Sequence, residues 1–268
     1  MHYDESAPDE IPAPGAPLPR SWLIAPAAAL AVLALVCVAT GNQSIFITLN
    51  AAASGVSSSL WSALSLTGSV LGMLALLAPT LKTRPRWLAS ALLASPLALV
   101  FSEGGKRIFD IMRPAGVLES DSFNLIGQKL YVHSFPSGHA TTAFVVAAAL
   151  IFAWPEASAR IRLAILATAV LIAFSRIAVG AHWPLDVLVG ACGGWLIGAL
   201  GSLLSTRWRF WERRGGIRAM AAIALGSSLA LLFIDLGYPS VHLYQIGLAA
   251  WGIGGAASAL GKDTETHS

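Results

Sequence analysis

Three short motifs in the middle of the chain carry side chains that can bind and cleave phosphate esters. They read KRIFDIMRP over 106–114, PSGH over 136–139 and SRIAVGAHWPLD over 175–186. Together they supply cations for phosphate oxygens, histidines for nucleophilic or acid–base chemistry, and a carboxylate that can orient a histidine ring. Only 12% of the residues are charged and 56% are hydrophobic. Polar groups that are retained in so apolar a chain indicate a functional site.

The first motif places Lys106 and Arg113 seven residues apart. Seven residues make nearly two helical turns, so we expect both side chains on one helix face, where they would bind a dianionic phosphate. Pro114 disfavours helical backbone at Arg113, and the helical segment should therefore end at this pair. The alternative is that the two cations only anchor a membrane span at the interface.

The second motif opens an apolar segment and is typical of an anion-binding helix start. Ser137 is a favourable N-cap, and Gly138 allows a ligand to approach the backbone closely. Free N–H groups at such a helix start attract anions. His139 follows at once and could donate a proton to a leaving oxygen. The alternative is an ordinary capped helix with an incidental histidine.

The third motif is the most specific of the three. Ser175 and Arg176 end one span, and both can bind phosphate oxygens. Pro184 favours the first position of the next helix, which places His182 just before that helix and Asp186 in its first turn. Asp186 would then accept from one ring nitrogen of His182 and leave the other nitrogen free as a nucleophile. The alternative for Asp186 is a first-turn acid that stabilises the helix dipole.

A metal site is the main chemical alternative. His139, His182 and Asp186 could form a site with two histidines and one carboxylate. The three cations of the motifs would, however, surround a metal with positive charge and favour a bound anion instead. We therefore expect neither a metal nor another cofactor.

Composition indicates a polytopic membrane protein, with mean hydropathy +0.69 over 268 residues and a net charge of +3. No basic stretch is interleaved with aromatic residues, which argues against a nucleic-acid partner. A span requires about 20 apolar residues. Eight segments approach that requirement: 21–40, 56–79, 87–103, 139–154, 161–179, 184–204, 217–236 and 240–260.

The segments predict an all-α transmembrane bundle, and the whole chain divides into five units. The predicted units are a disordered cytoplasmic tail (1–20), a six-span core with the site at its outer face (21–204), a basic cytoplasmic loop (205–216), two additional transmembrane helices (217–261) and a second cytoplasmic tail (262–268).

The distribution of Lys and Arg predicts the orientation of the bundle. With the N-terminus inside, 12 of the 17 basic residues fall in cytoplasmic segments, as the positive-inside rule requires. This bias favours an even number of spans with both termini in the cytoplasm. All three motifs then lie on the outer face.

The patterns Lys-x6-Arg-Pro, Pro-Ser-Gly-His and Ser-Arg-x5-His-x3-Asp resemble the three signatures of the type 2 phosphatidic acid phosphatase superfamily. The resemblance covers 106–186 and implies an all-helical core with metal-independent phosphoryl transfer through a phosphohistidine. It implies that His182 is the nucleophile, Asp186 its orienting partner and His139 the general acid. It also implies a set of phosphate-binding residues: Lys106, Arg113, Ser137, Gly138 and Arg176.

The expected function is that of an integral membrane lipid phosphatase in a bacterial inner membrane, with the bilayer and a phospholipid or isoprenoid (pyro)phosphate as partners. Candidate substrates are undecaprenyl pyrophosphate, phosphatidylglycerol phosphate, phosphatidate and a lipid A phosphate. A lipid phosphotransferase would share the first chemical step. A non-catalytic lipid binder or transporter is a third alternative. Vanadium haloperoxidases share the motifs but are generally soluble. Head group, acceptor and oligomeric state stay open.

Overall fold

The computed structural model describes residues 18–261, and its regular structure is entirely helical, which confirms the predicted all-α class. Residues 1–17 and 262–268 lie outside the described part, and with them nearly all of both predicted tails. The α-helices are α1 (Ser21–Thr40), α2 (Asn42–Ala53), α3 (Ser58–Thr67), α4 (Val70–Leu77), α5 (Pro85–Phe109), α6 (Pro114–Val117), α7 (Gly138–Ala153), α8 (Ala159–Ala178), α9 (Pro184–Arg207), α10 (Arg214–Phe233) and α11 (His242–Leu260).

Helices occupy all eight predicted span positions, but not every one is long and apolar enough to cross a membrane. Within 18–261, five segments meet that requirement, namely α1, α5 with α6, α8, α9 and α10. Counting the bent pair α3–α4 as one span gives six. The predicted total of eight is therefore not reached, because α7 has only 16 residues and α11 is not apolar enough. The apolar helices nevertheless define an integral membrane protein.

The segment 56–79 was predicted as one span, and this prediction is wrong in detail. The chain bends by 77° between α3 and the helical segment from Val70 to Lys82. A new helix begins after Ser69, whose backbone is extended and whose hydroxyl accepts from the Gly72 amide at 3.0 Å. A Cβ on Gly72 would lie 2.5 Å from the Leu66 carbonyl oxygen. Only glycine therefore allows α4 to start so close to the end of α3.

The centre of the bundle is the close contact between α7 and α9. Gly190, Gly194 and Gly198 recur every four residues on one face of α9, a spacing that lets two helix backbones approach. A Cβ on Gly190 would lie 2.6 Å from the Ser137 carbonyl oxygen, and a Cβ on either of the others would overlap a carbonyl oxygen of α7. This glycine face lets α9 pack closely along α7, from the N-cap Ser137 to Val145.

The up-and-down course of the chain brings the three motifs to one end of the bundle. They lie at the end of α5, the start of α7, the end of α8 and the start of α9. The opposite end carries cations that pack on aromatic rings: the Arg84 guanidinium lies 4.2 Å from the Trp154 ring centre and that of Arg162 lies 5.1 Å from Trp22. The hairpin of α10 and α11 packs against α4.

Candidate active site

The start of α9 pairs a histidine with a carboxylate, as the third motif predicts. α9 begins at Pro184, and the Asp186 carboxylate accepts a hydrogen bond from the Trp183 amide at 2.9 Å. His182 precedes the helix, and its Nδ1 lies 3.5 Å from Asp186 Oδ2. Both side chains are only 2% exposed. The two groups meet across the helix start, where the carboxylate can orient the ring.

Ser134 is a third member of this group that the sequence did not reveal. Its hydroxyl donates to Asp186 Oδ2 at 2.5 Å and lies 3.5 Å from His182 Nδ1. Ser134 is fully buried in the loop that leads to the PSGH motif. The carboxylate is therefore fixed by two donors besides the imidazole.

The contact on the other side of the imidazole defines its tautomer. Arg113 Nη1 lies 3.2 Å from His182 Nε2. A guanidinium can only donate, so Nε2 must be the acceptor and the ring proton must sit on Nδ1, toward Asp186. The lone pair of Nε2 thus faces Arg113, on the side of the ring away from Asp186.

The environment of His182 keeps its ring neutral. Burial lowers the pKa of His182 well below its ordinary value of 6.5, and the positive charges of Arg113 and Arg176 lower it further. A neutral imidazole is the nucleophilic form.

Arg113 does not share a helix face with Lys106, contrary to the prediction from their spacing. α5 ends at Phe109 because Asp110 adopts left-handed backbone (φ 41°), and Arg113 is extended before Pro114 (φ −78°, ψ 165°). The guanidinium is held by carbonyl oxygens of the surrounding loops. These acceptors are Val132 at 2.9 Å, Ala181 at 3.0 Å and His133 at 3.2 Å.

Lys106 and Arg113 nevertheless face one cleft of about 370 Å³. Lys106 Nζ pairs with Glu103 Oε1 at 2.6 Å. His133 also lines the cleft. The full lining is Glu103, Lys106, Arg107, Arg113, Leu130, Tyr131, Val132 and His133. Three full positive charges against one carboxylate favour an anionic ligand.

The PSGH motif forms the predicted helix start. Ser137 is the N-cap of α7, and its hydroxyl accepts from the Ala140 amide at 3.5 Å. A Cβ on Gly138 would lie 3.1 Å from Ser102 Oγ and 3.7 Å from Lys106 Nζ. The glycine therefore also serves the close approach of α5, which brings Lys106 to the start of α7.

His139 lies in the first turn of α7, beside the break between α3 and α4. A Cβ on Gly68 would lie 3.5 Å from His139 Cδ2. Across residues 18–261 the structure contains no group of three or more histidine, cysteine or acidic side chains that could hold a metal ion. The alternative of a ligand set from His139, His182 and Asp186 is thus not formed there.

Arg176 lies at the end of α8 and is 4% exposed. Its Nη1 donates to the Ser65 hydroxyl and to the Tyr238 hydroxyl, the latter at 2.6 Å. Its Nε is buried without a hydrogen-bond partner among the described residues. Ser175 donates instead to the Ile172 carbonyl within α8, at 2.6 Å. Of this predicted pair, only Arg176 has a donor to offer a ligand.

The loop that carries His182 is fixed by α2, a helix that the sequence did not predict. The Asn50 amide group donates to the carbonyl oxygens of Asn124 at 2.9 Å and Ile177 at 3.0 Å. Its side-chain oxygen accepts from the Asn124 amide at 2.7 Å. Asn50 thus joins the end of α8 to the loop before the PSGH motif.

Fold and site together define an integral membrane protein with a buried histidine–carboxylate pair, which lies next to a cleft lined by cations. Residues 84–214 match the PAP2 superfamily, that is, the type 2 phosphatidic acid phosphatases. The chain belongs to this superfamily, as its three motifs predicted.

Known proteins similar to this chain include several phosphatases. An undecaprenyl-diphosphatase from Sulfolobus acidocaldarius is 33% identical over 111 residues, which cover 41% of this chain and 50% of that protein. A lipid A 1-phosphatase from Rhizobium etli is 49% identical over 65 residues, or 23% of this chain and 25% of that protein. The chain thus spans half or less of the length of these curated relatives. The crystal structure of Aquifex aeolicus LpxE matches 62% of this chain and 94% of its own, with 30% identity and a TM-score of 0.52.

Proposed function

We propose that this protein is a membrane lipid phosphatase that hydrolyses a lipid phosphate or pyrophosphate through a phosphohistidine, without a metal. The observation that carries the proposal is the double contact of the His182 ring. Nδ1 faces Asp186 at 3.5 Å, and Nε2 faces the cation Arg113 at 3.2 Å. A ring fixed in this way presents a lone pair at the position where cations would hold a phosphate.

In the first step, His182 Nε2 attacks phosphorus and forms a P–N bond. The bond from phosphorus to the leaving oxygen of the lipid breaks, and His139 gives that oxygen a proton. The ring becomes cationic during attack, and the Asp186 carboxylate stabilises this charge at Nδ1.

In the second step, water attacks the phosphohistidine. His139, now neutral, takes a proton from the water as the new P–O bond forms, and the P–N bond breaks. Inorganic phosphate leaves and His182 regains its neutral ring. Proton transfer at His139 balances both steps.

Five residues are proposed to hold the phosphate oxygens. The charged donors would come from three helix ends, and the backbone amides at the start of α7 would add a helix N-terminus. The set is Lys106, Arg113, Ser137, Gly138 and Arg176.

The substrate is proposed to be an amphiphile whose tail stays in the bilayer. Support comes from the apolar helices around the site and from the named activities of the two relatives, undecaprenyl diphosphate and lipid A phosphate hydrolysis. The orientation proposed is that of a bacterial inner membrane, with both termini in the cytoplasm and the site outside. The cation-rich end of the bundle, opposite the site, supports this orientation.

The test is phosphate release by purified protein in detergent micelles with excess chelator. The panel contains undecaprenyl pyrophosphate, phosphatidylglycerol phosphate, phosphatidate and lipid A. We expect release from at least one lipid, complete loss in His182→Ala, and an acid-labile radioactive label on the wild-type protein but not on that variant. Full turnover by His182→Ala would refute the nucleophile, and loss of activity with chelator would refute metal independence.

The same assay separates hydrolysis from transfer. A lipid phosphotransferase would form the same phosphohistidine but pass the group to a second lipid. Label that appears only in lipid and never as free phosphate would replace the proposed hydrolase with a transferase.

A further inference from the structure

The connection between α10 and α11 reaches the active site through one side chain. Tyr238 lies in this connection and is 8% exposed. Its hydroxyl lies 2.6 Å from Arg176 Nη1 and 2.9 Å from the Ser65 hydroxyl, and Ser65 itself accepts from Arg176. Both Ser65 and Tyr238 lie outside the part of the chain that matches the superfamily, 84–214.

We propose that Tyr238 is a positioning residue that fixes the Arg176 guanidinium for phosphate binding, and that the α10–α11 hairpin thereby completes the active site. This inference rests on the proposed function only in taking Arg176 as a phosphate ligand.

The position of Tyr238 is itself built into the fold. Gly237 precedes it with left-handed backbone (φ 84°), and the Asp235 carboxylate accepts from the Gly237 amide at 2.7 Å. A Cβ on Gly127 would lie 2.6 Å from the Gly237 carbonyl oxygen and 2.8 Å from Tyr238 Cε1. The tyrosine is thus packed against the loop that leads to the PSGH motif, and its hydroxyl has little freedom to move.

These two hydroxyls fix the Arg176 guanidinium at one of its three nitrogens. Nη1 is occupied by the two hydroxyls, whereas Nε is buried with no hydrogen-bond partner in residues 18–261. A buried donor without a partner costs free energy unless a ligand satisfies it. The hydroxyl pair therefore directs the remaining N–H groups toward a phosphate and reduces the entropy that the side chain loses on binding.

The chain offers a matched control in Tyr244. Its hydroxyl lies 2.6 Å from Thr67 Oγ1, so it also links the hairpin to α3, two residues from Ser65. Tyr238→Phe and Tyr244→Phe each remove one such hydroxyl, but only the first removes a partner of Arg176. A merely structural role would affect both variants alike.

The experiment measures equilibrium binding of orthovanadate, a phosphate analogue, to full-length protein in detergent, together with KM and kcat on a lipid that the wild type hydrolyses. For Tyr238→Phe we expect the vanadate dissociation constant and KM to rise about tenfold, the size of one lost hydrogen bond to a charged group. Tyr244→Phe should bind vanadate as the wild type does. In an Arg176→Ala background, Tyr238→Phe should have no further effect.

Unchanged vanadate binding by Tyr238→Phe, an equal loss in Tyr244→Phe, or a full additional loss without Arg176 would each overturn the proposal. If Tyr238→Phe unfolds, Ser65→Ala removes the other hydroxyl and should weaken vanadate binding in the same way. Failure of the proposed function would look different, because a wild type that binds vanadate but hydrolyses no lipid phosphate would refute catalysis and leave the binding comparison decisive.

Discussion

Replacing Asp186 with asparagine removes one charge from the active site while the surrounding hydrogen bonds can persist. The carboxylate oxygen Oδ2 accepts from Ser134 at 2.5 Å and from Trp183 at 2.9 Å, and it lies 3.5 Å from His182 Nδ1. The amide oxygen of an asparagine can occupy the same place and accept from the same donors. We therefore expect the free energy of unfolding to change by only about 1 kcal/mol.

Under the proposed mechanism, catalysis should respond far more strongly, because His182 would gain positive charge as Nε2 attacks phosphorus. At 3.5 Å and an effective dielectric constant of about 20, Coulomb attraction between two unit charges is roughly 4 to 5 kcal/mol. At 1.36 kcal/mol per factor of ten, its loss should lower kcat about 1,000-fold. The assay is initial-rate phosphate release from a lipid hydrolysed by the wild type, with thermal unfolding measured in parallel.

Ser134→Ala is the matched control, because it removes one hydrogen bond from the same oxygen and leaves the charge. A decrease of about tenfold is expected. The reasoning would be refuted if Asp186→Asn kept more than a tenth of wild-type kcat while folded, or if Ser134→Ala lost as much as Asp186→Asn.

Two further predictions concern pH and packing. Burial and nearby cations lower the pKa of His182 below 6.5, so its ring should stay neutral as the pH falls. In a pH profile of kcat/KM, the acid-side midpoint should therefore lie below 6.5. A midpoint above 6.5 would contradict this prediction. In the unfolded chain His182 takes up its proton at a higher pH than in the folded protein. The free energy of unfolding should therefore fall as the pH drops below 6.5. A Cβ on Gly105 would lie 2.5 Å from Pro136 Cδ, whereas Gly104 has open space around it. The free energy of unfolding of Gly105→Ala should therefore be about 1–3 kcal/mol lower than that of Gly104→Ala, as measured by denaturation, and Gly105→Ala should lose more activity. Equal free energies of unfolding would show that α5 does not need this close approach.

The sequence predicted those parts of the site that depend on local chemistry. The N-cap at Ser137, the helix start at Pro184 and the meeting of His182 with Asp186 follow from backbone preferences of a few neighbouring residues. Arg113 was placed wrongly because helical spacing was carried past Asp110, whose left-handed backbone ends α5.

The missed residues share a different property, since they reach the site only through long-range packing. Ser65 and Tyr238 are separated by 173 positions and meet at Arg176. Asn50 is 74 residues from Asn124, which it bonds. Serine, tyrosine and asparagine are common in membrane helices and loops, so neither type nor spacing marks them. The sequence did not predict the bend between α3 and α4, because a serine within an apolar run does not by itself end a helix.

The shortness of α7 has a consequence for the lipid around the protein. Its 16 residues rise only about 24 Å at 1.5 Å per residue, whereas the hydrocarbon layer of a bilayer is about 30 Å thick. The end of this helix that carries His139 would then lie beneath the level of the surrounding head groups unless the bilayer thins beside it. Under the proposed function, thinning of the bilayer beside α7 would bring the phosphate of a lipid substrate to the depth of the site while its tail stays in the bilayer. Turnover in reconstituted bilayers should accordingly rise as the acyl chains of the host lipid are shortened.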